Sequence, residues 1–97
     1  MTTGSHIDTQ PSGGNYDGCY GVMAGLACLK ALNEARVVTE RPVEVVIWTN
    51  EEGSRFAPGA MGSSTFVDPA RLSAHLGAMG VEGVSFRDGL ADQQARV

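Results

Sequence analysis

No apolar run in this 97-residue chain approaches the ~18 residues that a membrane-spanning helix requires, so a helical span is excluded. Basic residues are few: 7 Lys and Arg stand against 11 Asp and Glu, and the net charge is −4. A nucleic-acid footprint would show clustered Lys and Arg, and the sequence has no such cluster. Cysteine is nearly absent, with only Cys19 and Cys28. Spaced nine apart on a helix, they project to roughly opposite faces at about 100° per residue. They read as reduced small hydrophobes, not as a disulfide. Phosphate-binding patterns are missing too: no G-x-G-x-x-G follows a strand, and no G-x-x-x-x-G-K-[ST] occurs. Without a G-x-S-x-G, a serine nucleophile has no support. The amino terminus lacks the charged-then-apolar pattern of a secretory signal, and the expected location is cytoplasmic.

What is present suits at most one small domain, with 42% hydrophobic and 19% charged residues. Residues 1 to 17 are polar and glycine-rich. From Gly18 to Ala35 the pattern turns helical, with Val22, Leu26, Leu29 and Leu32 at helical spacing. Ala24, Gly25, Ala27 and Ala31 offer small surfaces for close approach to a sheet. Asn33 to Arg41 reads as a loop ended by Pro42. Val43 and Val45 to Trp48 then form an apolar run that suits a strand covered on both faces, as in a parallel sheet. A short helical turn is expected near Ser63 to Val67, a helix from Pro69 to about Met79 closed by Gly80, and a last helix from Phe86 to about Ala95 capped by Ser85.

Three stretches carry residues with chemical potential. In "SHID", read as the carboxyl end of a strand, His6 and Asp8 point to the same side. Asp8 is then placed to accept the ring N–H of His6, the arrangement that fixes the tautomer of a metal-bound histidine. The body of such a strand, "MTT", is poor for one. Either Met1 is not the biological start or the chain is a remnant. In "GGNYDG", Asp17 precedes the helix and serves either as its cap or as a ligand; Gly13-Gly14 is a turn or a place where backbone passes close to an ion. Glu51 and Glu52 follow the apolar strand, at the end where open α/β sheets bind ligands. Two adjacent carboxylates repel; either a solvated loop or a cation resolves the conflict. His75 lies in a predicted helix and suits an ordinary surface or packing role.

Taken in order, "GSHIDT", "GGNYDG" opening a helix and "WTNEEGSRF" after a strand resemble metal-dependent amidohydrolases. More narrowly, they resemble the branch of the dinuclear-zinc peptidase superfamily that holds N-carbamoyl-L-amino acid hydrolases, allantoate amidohydrolases and β-ureidopropionases. "GVMAGLACLKALNEA", "RPVEVVIWTNEEGSRFAPGAMGS" and "VEGVSFRDGL" extend the likeness over essentially the whole chain. The resemblance implies an α/β fold, part of a zinc-peptidase-like catalytic domain with a mostly parallel sheet flanked by helices. It implies two divalent metal ions, zinc or else manganese, cobalt or nickel. His6 would ligate one, Asp17 would bridge both, and Glu52 would ligate the second. Glu51 would be the general base and Asp8 would support His6. A small ureido or amide substrate is implied, with homodimeric full-length relatives.

Family members are several times longer. They carry two further histidine ligands downstream, one in an "HIEQG"-like stretch, and an inserted lid or dimerisation domain. Residues 1–97 are therefore expected to be the amino-terminal part of a truncated catalytic domain, lacking that lid domain and the carboxy-terminal half. Three ligating side chains fall short of two catalytic zinc sites, so little or no turnover is expected of the chain alone. A rival expectation is a non-catalytic metal- or partner-binding remnant that complements a second chain.

Overall fold

A computed structural model describes residues 1–96, in two units, Met1–Thr49 and Asn50 onward. The first unit is a βαβ arrangement of β1 (Thr2–His6), α1 (Cys19–Glu34) and β2 (Glu44–Trp48). The two strands pair in parallel from Thr2↔Glu44 to His6↔Trp48. Their carboxyl ends are therefore level, and His6 lies opposite Trp48 at that edge. Parallel neighbours need a crossover between them, and α1 provides it.

The sequence "TTGSH" makes a strand despite its small, polar body because it is braced from two sides. One brace is the ladder to β2. The other is a row of glycines on α1. A Cβ on Gly21 would lie 2.6 Å from Ser5 Cβ, and one on Gly25 would lie 3.1 Å from Val45 Cγ2 and 3.5 Å from Thr3 Cγ2. Helix and strand thus meet almost backbone to backbone. The expected apolar stripe of α1 is confirmed in part: Val22 and Gly25 are buried, and Leu29 and Leu32 are half-buried. Leu26 is 47% exposed, because the buried row runs 18, 22, 25, 29, 32 and Leu26 lies off it. The expectation that β2 is covered on both faces needs correction. None of its residues is buried, and Ile47 is 49% exposed. Cys19 and Cys28 are free, as their spacing predicted, and both are exposed.

The second unit is helical: α2 (Met61–Val67), a 3-10 turn (Pro69–Arg71), α3 (Leu72–Leu76) and α4 (Phe86–Ala95). Its core is Phe56, Met61 and Phe86, with Leu76, Ala78 and Leu90 packed against them. The Phe56 and Phe86 rings meet edge to face, centroids 5.2 Å apart. The helix expected over Pro69–Met79 is shorter, ending at Leu76 with Gly77 as its cap. Met79 instead bridges to Ser85, and the Gly80 N–H donates to Val84 O at 2.9 Å, folding 80–84 into a turn. The last helix agrees with its expected bounds, and Ser85 Oγ accepts from the Asp88 N–H at 3.2 Å. Among the described residues, no helix is long and apolar enough to cross a membrane.

Candidate functional site

In the first unit, His6 is buried, with 7% of its surface exposed. Its position follows from the ladder: it is the last residue of β1, and its ring lies over the start of α1. The Nδ1 atom is 2.9 Å from the carbonyl oxygen of Asp8 and 3.4 Å from Asp8 Oδ1. A carbonyl oxygen only accepts, so Nδ1 is the protonated nitrogen and donates to it. This differs in detail from the expected geometry. β1 stops at His6, so strand alternation does not place Asp8; the irregular segment after the strand does, and its main chain makes the shorter contact.

On the other side of the ring, Nε2 lies 3.8 Å from Asp17 Oδ1. That separation is too long for a hydrogen bond. Asp17 does not cap α1: the cap position is Gly18, and no side chain there bonds the helix's amides. Of the two roles open to Asp17 in the sequence, capping is therefore removed. Gly13-Gly14 joins two turns, with the Gly13 N–H donating to Gln10 O at 3.0 Å and Gly14 O accepting from the Asp17 N–H at 3.1 Å.

Glu51 and Glu52 belong to the second unit and are both half-buried. Their segment is held by main-chain bonds: the Ala60 N–H donates to Glu51 O at 2.7 Å, and the Met61 N–H to Asn50 O at 3.2 Å. A Cβ on Gly59 would lie 2.5 Å from Glu51 O, so only glycine allows this approach. Asn50 was not singled out from sequence, yet it organises the loop. Its Nδ2 donates to Phe56 O at 2.8 Å and Pro58 O at 3.2 Å, and its φ is 51°. Asparagine tolerates that conformation better than most residues, which is the one signal the sequence offered. His75 is buried at 8% exposure and its Nδ1 lies 2.8 Å from Thr65 Oγ1. Its expected packing role holds.

Comparison with known proteins follows the same segments. An N-carbamoyl-L-amino-acid amidohydrolase of Rhizobium meliloti is 44% identical over 87 residues, covering 90% of this chain and 21% of its own length. An allantoate amidohydrolase of Bacillus subtilis is 48% identical over 63 residues, 65% of this chain and 16% of its own length. The crystal structure of a hydantoinase/carbamoylase family amidase from Burkholderia vietnamiensis superposes with a TM-score of 0.89 at 49% identity, over 95% of this chain and 22% of that one. The chain thus spans about a fifth of the length of the relatives it matches over most of its residues. The model of peptidase family M20/M25/M40 matches residues 2–92, which takes in the βαβ unit, the buried His6 and the Glu51-Glu52 loop alike, and the chain belongs to that family.

Proposed function

We propose that this chain carries part of the catalytic centre of a metal-dependent hydrolase acting on non-peptide C–N bonds in linear amides or ureido compounds, of the N-carbamoyl amino acid or allantoate kind. It would form the amino-terminal part of the catalytic domain. The observation that carries this reading is the setting of His6. One ring nitrogen is pinned by the Asp8 carbonyl, and the other faces a carboxylate with no capping role. The names of the similar proteins support the substrate class.

The donor set fits divalent metal. An imidazole with carboxylates suits zinc, manganese, cobalt or nickel. Both donor atoms can reach one ion: the 3.8 Å between Nε2 and Oδ1 is under the ~4.2 Å sum of typical Zn–N and Zn–O bonds. In this reading His6 would ligate one ion, Asp17 would be shared between two, and Glu52 would ligate the second. When bound, the metals supply a water made more acidic and polarise the carbonyl under attack.

The chain's own groups do the rest. His6 offers Nε2 as a neutral donor because Nδ1 holds its proton against Asp8 O. Asp8 orients the ring and makes it a better ligand. The Glu51 carboxylate takes a proton from the attacking water and returns it to the departing nitrogen. Its main chain, tied to Ala60, gives that carboxylate a fixed root. The same reading makes the full-length protein a cytoplasmic homodimer with a small-molecule substrate.

Calorimetric titration with zinc tests the site. Wild-type chain is expected to bind, and Asp17→Ala and Glu52→Ala each to weaken binding by about 10-fold or more. Unchanged binding in both variants would show that the ligands are wrongly assigned. Turnover of an N-carbamoyl amino acid or of allantoate by the 97 residues alone is expected to be undetectable, since three ligating side chains are too few for two catalytic zinc sites.

A further inference from the structure

Gly18 holds a backbone conformation that few residues adopt, at the point where His6 and Asp17 face each other. Its φ is 69° and its ψ −57°. The Cys19 N–H donates to Asp17 O at 2.8 Å, closing a three-residue turn around Gly18. A γ-turn of this hand is rare and strained, and such strain persists only where the surroundings over-determine it. The surroundings here are His6. A Cβ on Gly18 would fall 2.5 Å from His6 Cε1 and Nδ1, and 2.6 Å from the His6 carbonyl oxygen. The imidazole therefore rests on the bare Cα.

Starting a helix does not require this. In the same molecule α4 begins at Ser85, with φ −74°, ψ 154° and a side-chain cap. Helix α1 has neither the extended cap residue nor the capping bond. What the γ-turn does is carry Asp17 out of capping position, leaving its carboxylate beside the ring.

We infer that Gly18 is a positioning residue: its strained turn and missing side chain seat the His6 imidazole and set the Asp17 carboxylate beside Nε2. The purpose of this arrangement rests on the reading of His6 and Asp17 as metal ligands, while the positioning itself does not.

The test compares Gly18→Ala with Gly83→Ala in the full chain. Gly83 has φ 77° and nothing within 4 Å of a built Cβ, so it carries the backbone cost without the clash. One readout needs no metal: long-range nitrogen–proton correlation of the His6 ring, at a pH where the ring is neutral. Wild type and Gly83→Ala are expected to show the single Nδ1-protonated tautomer, and Gly18→Ala a mixture. The second readout is zinc affinity, expected about 10-fold or more weaker in Gly18→Ala and unchanged in Gly83→Ala.

Wild-type ring signals in Gly18→Ala overturn the inference, as does an equal disturbance of the ring in Gly83→Ala. If the ring signals change as expected while wild type binds no zinc, the metal reading falls and the positioning role stands. Should Gly18→Ala unfold the first unit, the comparison moves to a His6→Ala background. There two of the three close contacts are gone and Gly18→Ala is expected to fold; unfolding in both backgrounds overturns the inference.

Discussion

The two units are held together by opposite means. The first, Met1–Thr49, buries one large apolar side chain, Val22, beside a histidine and a row of glycines. The second buries Phe56, Met61 and Phe86 against one another. In the second unit side chains fill space between helices. In the first, removing side chains lets α1 press directly on β1. The lesson concerns precision. Backbone-to-backbone packing leaves little freedom for sliding, and it fixes the end of β1 where His6 stands. Side-chain packing suits a unit whose loop, 50–61, is anchored by its own main-chain bonds.

This contrast makes graded expectations, all measurable by denaturant unfolding with amide exchange followed in each unit. Phe56→Ala should be the most damaging change, costing about 3–5 kcal/mol as a buried aromatic lost from a small core, and its effect should fall on the second unit. Gly21→Val comes next. Its branched side chain would enter the space of Ser5, and overpacking of this kind costs about 1–3 kcal/mol, felt in β1 and α1. If Gly21→Val were neutral, the idea of a side-chain-free helix–strand interface would fail.

Thr65→Val should cost about 1–2 kcal/mol, because it leaves a buried imidazole nitrogen without the hydroxyl it now meets. Ser85→Ala removes the cap of α4 and should cost about 1 kcal/mol. Lys30→Ala, which breaks an exposed pair with Glu34 on the outer face of α1, should cost no more than about 0.5 kcal/mol.

The same contrast explains what could be read from sequence. Elements with local signals were legible. The valine-rich run gave β2, helical spacing gave α1, and Ser85 marked the start of α4. "SHID" was recognised as a strand end, but "TTGS" carries no strand signal of its own; its stability comes from pairing 42 residues away and from the glycines of α1. The overlong helix at Pro69–Met79 has a similar cause. Met79 is helix-compatible locally, and a bridge to Ser85 takes it elsewhere.

The candidate site divides in the same way. His6, Asp8, Asp17, Glu51 and Glu52 stood out by residue type and place. Their supports did not. Gly18 looked like any glycine before a helix, and the γ-turn that distinguishes it, with the His6 ring beside it, is a feature of the folded chain. Asn50 looked like a loop residue, and its two carbonyl partners lie six and eight residues on. Asp17 could equally have been a cap until the structure showed the cap position filled by backbone alone.

X-ray absorption of the zinc-loaded chain tests the proposed ligand set most directly. One imidazole among nitrogen and oxygen donors near ~2.0–2.1 Å is expected, with the imidazole signature lost in His6→Ala. Sulfur at ~2.3 Å, from the exposed Cys19 or Cys28, or an imidazole signal that survives His6→Ala, would contradict it.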